Sequence, residues 1–92
     1  MKEQIEPMNR NETIASIVVI ISRVIEDKGE KPVEINPDTP FLGGPLPIDS
    51  LDLAAIVVEL EAVARIDPFK DGFIEFRTVG ELATLYCPST DL

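Results

Sequence analysis

The stretch between residues 30 and 49 is crowded with residues that break helices and strands, and it constrains the fold more than any other feature. It holds five of the eight prolines and the pair Gly43-Gly44. Proline fixes φ and lacks a backbone N–H donor, so no regular element runs through such a segment. The chain therefore places its regular elements on either side of one long loop. Loops of this length usually pack or carry function, and we expect the loop to be anchored by Val33, Ile35, Phe41, Leu42 and Leu46.

The segment before this loop has the periodicity of one helix. Asn9 or Asn11 can cap its start, and Asn9 with Glu12 has the spacing of a capping box. Its β-branched residues would also suit a strand, but the period, the caps and the length favour a helix. Gly29 supplies the stop. The apolar face comprises Ile14, Ile17, Val18, Ile21, Val24 and Ile25.

The segment after the loop predicts two further main helices. Helix 2 runs from about Ser50 to Ala64 and is ended by Asp67-Pro68. The last helix begins at Thr78, which forms a capping box with Glu81, and Pro88 ends it. Its apolar face comprises Val79, Leu82, Ala83 and Tyr86.

Between these helices, residues 69–77 are rich in large apolar side chains, which predict a short helix or a turn that plugs the bundle. These side chains are Phe69, Phe73, Ile74 and Phe76. The predicted fold class is all-α: a four-helix bundle of three main helices plus a short third helix, with a long loop between helices 1 and 2.

The length of the chain suits one domain over residues 1–92, with polar tails at 1–8 and 88–92. The net charge of -9 argues against nucleic acid and membrane surfaces as partners, because phosphates would repel the chain, and favours basic protein surfaces. The apolar run at residues 17–21 is far shorter than the roughly 20 residues that span a bilayer. No signal peptide is visible, and we expect a monomer in the cytoplasm.

The chain has no histidine and a single cysteine, Cys87. A Ser-His-Asp triad, a Cys-His pair and a Cys/His zinc site are therefore excluded within it. We expect Cys87 to pack as a small apolar residue. Asp49 and Asp52 could in principle share a metal ion, but two acids at a helix start are usually surface charge. The residue content thus predicts no catalytic residue, no metal ligand and no enzyme.

Helix 2 is apolar almost all the way round, which needs an explanation. At about 100° per residue one side forms a predicted core face, which comprises Leu53, Ile56, Val57, Leu60, Val63 and Ala64. The opposite side forms a second strip, which we call the docking strip: Leu51, Ala54, Ala55, Val58 and Ala62, bordered by Asp52, Glu59 and Glu61. A domain this small has too few elements to cover both sides, so we expect the docking strip to be exposed and to meet partners. Alternatively, the alanines are simply good helix formers and the loop covers the rest of the strip.

Ser50 stands at the start of this helix, and two roles are open for it. A serine before an apolar run is a common helix cap. The same position suits an attached phosphate, because free amides and the positive end of the helix dipole lie there. With no histidine in the chain, the hydroxyl would have to be activated by another protein.

At three places the sequence resembles the acyl carrier proteins and their peptidyl and D-alanyl relatives, and the likeness covers nearly the whole chain. Asp49-Ser50-Leu51-Asp52 matches the family's motif at the head of helix 2. Asp38-Thr39-Pro40-Phe41-Leu42 resembles its loop segment, and Thr78-Val79-Gly80-Glu81-Leu82 resembles the start of its last helix. Pro47 departs from the pattern, since the family usually has glycine there, whose backbone torsions proline cannot adopt.

The resemblance implies a carrier rather than an enzyme. Ser50 would accept 4'-phosphopantetheine from coenzyme A through a separate Mg-dependent phosphopantetheinyl transferase, and Asp49 would help to position that enzyme's metal ion. The terminal thiol would hold acyl or aminoacyl groups as thioesters for loading and synthase enzymes with basic docking surfaces. Partners would meet Asp52, Ala55, Ala62 and, by the resemblance, Leu51, Val58, Glu59 and Glu61.

Acyl, aminoacyl, aryl and D-alanyl cargoes all remain open, as do fatty acid biosynthesis and polyketide or secondary metabolism. The alternative is a helical interaction module that keeps the carrier fold but is never modified, with Ser50 as a mere cap. Pro47 is the feature that favours this alternative.

Overall fold

The computed structural model describes residues 9–86. The two predicted tails, Cys87 and the stop at Pro88 lie outside the described residues. Three α-helices are present in this range and no strand: α1 (Arg10–Asp27), α2 (Ser50–Ala64) and α3 (Val79–Leu85). The all-helical prediction is confirmed, with bounds for α2 that match the expected ones. None of the helices in residues 9–86 has the length and apolar character needed to cross a membrane.

Capping boxes start α1 and α3 as predicted. At α1 the Asn9 side chain accepts from the Glu12 amide at 2.8 Å, and the Glu12 carboxylate accepts from the Asn9 amide at 3.0 Å. At α3 the Thr78 hydroxyl accepts from the Glu81 amide at 3.1 Å. Each box satisfies backbone donors that a helix start leaves without partners.

The core lies where α1 packs against both other helices. Ile20 of α1 is buried although the predicted face omitted it. Val63 of α2 is 51% exposed, so its assignment to the core is wrong. Its side chain lines an open groove between α1 and α2, whose opposite wall carries the exposed residues Val19 and Arg23. The buried apolar residues are Ile17, Ile20, Ile21, Ile25, Phe41, Leu46, Ile56, Leu60, Val79, Leu82, Ala83 and Tyr86.

The loop between α1 and α2 is tied to the start of α3. The amide of Gly80 donates to Pro37 O at 2.8 Å, and that of Val79 donates to Thr39 O at 3.0 Å. Phe41 is buried as expected, whereas Leu42 is 44% exposed, which contradicts its predicted anchoring role. The side chains of Phe41 and Leu46 therefore anchor this loop, while Leu42 lies outside the core. Val33 and Ile35 are partly buried and pack against the core, as expected.

The chain leaves α2 earlier than Asp67-Pro68 would require. Arg65 is the C-cap, in a left-handed conformation with φ 62°. Of the two structures predicted for residues 69–77, the short helix is absent and turns are present, with a 3.0 Å hydrogen bond from the Gly72 amide to Phe69 O. The described residues therefore form three helices and not the predicted bundle of four. The Asp67 carboxylate accepts from the Phe69 amide at 3.0 Å, a local bond that competes with helix formation. The phenylalanines still pack: the rings of Phe41 and Phe76 meet edge to face at 5.6 Å.

Candidate functional site

The start of α2 is closed by two aspartates rather than by the serine. The Asp49 side chain accepts from the Asp52 amide at 2.9 Å, and the Asp52 carboxylate accepts from the Asp49 amide at 3.0 Å. Asp49 is the N-cap and its backbone is extended, as capping requires. This reciprocal box was not predicted, and it makes the alternative assignment of Ser50 as the cap wrong.

Ser50 is consequently the first residue inside the helix, and it is exposed. Its hydroxyl makes no hydrogen bond within the described part of the chain, because the capping bonds belong to its neighbours. Residues at this position point outward from the first turn, where backbone N–H groups remain unpaired. The hydroxyl is thus available to another molecule and sits where a negative group is tolerated.

A lysine at the end of α1 forms an ion pair with one of the two aspartates at this helix start. Lys28 Nζ lies 2.6 Å from Asp52 Oδ2, an oxygen that also accepts the Asp49 amide. The hydrogen bond from Lys28 and, after it, the backbone bond from Asp49 lower the pKa of Asp52. The same hydrogen bond raises the pKa of Lys28. Lys28 was missed in the sequence because no local pattern pairs residues that lie so far apart in the chain.

The docking strip of α2 lies exposed, as expected from its two-faced pattern. Leu51 is 79% exposed and Val58 is 65% exposed, and Ala54, Ala55 and Ala62 are exposed as well. The alternative in which the loop covers the rest of the strip is therefore wrong, because Leu51 and Val58 are both exposed. Because most of these side chains are small, the strip presents a low surface that leaves space for a partner's side chains.

The acidic border of the strip is already engaged inside the molecule. Glu59 pairs with Arg23 at 2.6 Å, and Asp52 pairs with Lys28. Glu61 lies against Asp67, and the hydrogen bond between their side chains, together with burial and the repulsion between the charges, raises the pKa of Glu61. The border is thus a row of carboxylates with intramolecular contacts rather than a set of free charges.

The structure brings Asp49, Ser50, Leu51 and Asp52 together in the first turn of α2, while Val58, Glu59, Glu61 and Ala62 follow further along the same helix. Within residues 9–86 no group of three or more potential metal ligands is present. The Ser50 hydroxyl is exposed at the head of α2, but the chain has no histidine to activate it.

Comparisons with known proteins bear on this site. No protein-family model matches the chain, and a search of curated proteins finds no match. A solved structure does match: MacpD, an acyl carrier protein from Pseudomonas fluorescens involved in mupirocin biosynthesis. The two chains share 30% identity over 90% of this chain and 75% of MacpD, with a TM-score of 0.76. Given this fold, this coverage and an exposed serine at the head of α2, the chain belongs to the acyl carrier protein family.

Proposed function

We propose that this protein carries acyl or aminoacyl groups as thioesters on a 4'-phosphopantetheine arm attached to Ser50. A carrier role follows from membership of the family; the arm, its attachment point and its partners are the proposal. The main observation in support of this proposal is that Asp49, and not Ser50, caps α2. The Ser50 hydroxyl is therefore left exposed.

The residues present fit such a group. The hydroxyl is unpartnered within residues 9–86, it lies at the positive end of a 15-residue helix, and no large side chain of the described core covers it. In the loading step the Ser50 Oγ–phosphorus bond forms as the pyrophosphate bond of coenzyme A breaks. Adenosine 3',5'-bisphosphate leaves, and the hydroxyl proton passes to a base of the transferase. When bound, the arm supplies a terminal thiol for the cargo.

The chain's own residues would orient this reaction rather than catalyse it. Asp49 holds the first turn in place and, by the family resemblance, helps to position the metal ion of the transferase. The docking strip offers small apolar side chains to a partner's surface. The net charge of -9 attracts basic surfaces, and such attraction raises the rate of encounter more than the affinity.

The charge of the chain and its exposed strip also indicate which enzymes would exchange cargo with it. Loading and synthase enzymes with basic docking faces suit the net charge of -9 and the exposed strip. MacpD takes part in mupirocin biosynthesis, and this likeness favours a pathway of secondary metabolism over fatty acid biosynthesis. A monomer in the cytoplasm remains a prediction.

The test is the intact mass of the purified chain after incubation with coenzyme A, Mg²⁺ and a broad-specificity phosphopantetheinyl transferase. The wild type should gain one phosphopantetheine and Ser50→Ala none. Ser22→Ala is the matched control: Ser22 is an exposed serine of α1, and its loss should leave the mass gain unchanged.

Pro47 keeps a second function open, that of an unmodified interaction module. If several transferases leave the wild type unmodified while it still binds partner enzymes, the module is the better description. Loading of Pro47→Gly but not of the wild type would identify this proline as the reason.

A further inference from the structure

The end of α1 and the start of α2 meet in one ion pair that includes an atom of the capping box. Lys28 Nζ contacts Asp52 Oδ2 at 2.6 Å, and the same oxygen accepts the Asp49 amide at 3.0 Å. Lys28 is itself the C-cap of α1. The lysine therefore reaches from one helix end to the next and bonds to the carboxylate that orders the residues on both sides of Ser50.

This placement matters because Ser50 lies between two acids. A phosphate attached there would lie within two residues of the carboxylates of Asp49 and Asp52 in the same helical turn, and like charges that close repel one another. The ammonium of Lys28 neutralises one of them. The two other ion pairs described, Arg23–Glu59 and Arg77–Glu75, do not include a residue of this helix start.

We propose that Lys28 is a positioning residue for the loading of Ser50, which offsets the acidic pair around the serine and holds Asp52 in the cap. This inference rests on the proposed function. Two consequences follow from it. Without Lys28 the phosphate arrives beside two uncompensated carboxylates, so loading is slower. After loading, the variant lacks the cation that neutralises Asp52 beside the added charge, so its stability falls more than that of the wild type.

The chain offers a matched control in Lys31, an exposed lysine three residues further along that forms no ion pair in the described structure. Replacing either lysine with alanine makes the protein more acidic by one charge, and a more acidic carrier should meet a basic transferase somewhat faster. A slower reaction of Lys28→Ala alone therefore cannot arise from net charge. Lys28→Arg keeps the charge and tests for rescue.

The first experiment measures kcat/KM for loading by one purified transferase with each variant as the substrate. We expect a loss of about fivefold for Lys28→Ala, the upper range for one exposed ion pair, and a change of less than about twofold for Lys28→Arg and Lys31→Ala. Equal values for Lys28→Ala and Lys31→Ala would overturn the inference. If the wild type itself is not loaded, the proposed function fails instead, so the two failures are distinguishable.

The second experiment does not depend on the rate. Each variant is loaded to completion with excess transferase, and its thermal midpoint is compared before and after loading. A purely structural role for Lys28 would lower both midpoints equally. The inference requires that loading lowers the midpoint of Lys28→Ala more than that of the wild type or Lys31→Ala, and it is wrong if the three shifts agree.

Discussion

Helices α2 and α3 differ in what they do with their surfaces. In α2, which has 15 residues, only Ile56 and Leu60 are fully buried, and one whole side is open. In α3, with 7 residues, most of the helix is buried: Val79, Gly80, Leu82 and Ala83, followed by the C-cap Tyr86. The short helix is an anchor held by the loop and α1, and the long helix displays its outer face.

The starts of the two helices also differ, and this difference explains why the hydroxyl at the start of α2 is available. At α3 the hydroxyl belongs to the cap itself, and Thr78 Oγ1 is taken up by the Glu81 amide. At α2 a carboxylate caps the helix and the hydroxyl follows one residue later. Moving the hydroxyl by one position relative to the cap frees it for chemistry without weakening the helix.

Among the variants that are expected to stay folded, the largest effect on stability tests how tightly α3 is held. In Gly80→Ala the added Cβ would lie 2.7 Å from Arg10 Nη2 and 3.0 Å from Pro37 O. The arginine can move, but the backbone oxygen is fixed by its bond from the Gly80 amide. We expect a loss of about 2 kcal/mol in the free energy of unfolding, measured with urea. A gain of stability, as alanine gives in an open helix, would contradict the anchored start.

The next largest effects on stability are expected when the N-cap of α2 or of α3 is removed, and these two variants distinguish the roles of the two helix starts. Thr78→Ala and Asp49→Ala should each lower the free energy of unfolding by about 1 kcal/mol, because each removes a cap. Only Asp49→Ala should also slow loading by the transferase. Asp49→Asn is the control, since asparagine caps as well but lacks the charge: it should keep the stability and still load slowly. Slow loading of Thr78→Ala would show that cap loss alone explains the defect.

A smaller effect concerns the buried hydroxyl of Tyr86, which has no hydrogen-bond partner in the described structure. Burial, and after it the charges of Glu61 and Asp67, raises the pKa of Tyr86 to about 12. Because the folded value exceeds the unfolded value of about 10, the wild type should lose stability as the pH rises above about 10. Tyr86→Phe should be at least as stable at pH 7, with a gain of up to about 1 kcal/mol.

The measurement for Tyr86 is urea unfolding of both proteins at neutral pH and between about pH 10 and 12. No other tyrosine is present, so the difference between the two curves reports this residue. Parallel curves would mean that Tyr86 ionises as readily in the folded as in the unfolded chain.

The smallest effect on stability is expected for a substitution in the docking strip of α2. Val58→Arg should change the free energy of unfolding by less than about 0.5 kcal/mol, because the side chain is exposed. It should nevertheless slow turnover by partner enzymes. Leu60→Arg, two residues away and fully buried, is the contrasting variant and should unfold the protein. Unfolding of Val58→Arg would show that the docking strip is covered.

Local signals in the sequence predicted much of this architecture. The boxes of Asn9 with Glu12 and Thr78 with Glu81 are confirmed, since caps depend on neighbours only. The two-faced pattern of α2 correctly predicted that Leu51 and Val58 lie exposed. These features depend on periodicity and on bonds within one turn, which short sequence patterns contain.

The sequence predictions failed at features that depend on residues far apart in the chain. The exposure of Val63 depends on what α1 presents across the groove, and the pairing of Lys28 with Asp52 depends on how two helix ends meet. The cap at Asp49 was overlooked because aspartate and serine are both good caps and stand side by side. The left-handed Arg65 gave no signal, since glycine is the residue usually expected there.

We expect the arm at Ser50 because capping by Asp49 leaves that hydroxyl free. Fragment-ion mass spectrometry of the transferase-treated wild type, on a peptide that contains residues 48–53, tests it most directly. We predict a single phosphopantetheine on Ser50. An arm on any other serine or threonine would contradict the account, as would an unmodified Ser50 in a chain that transferases bind.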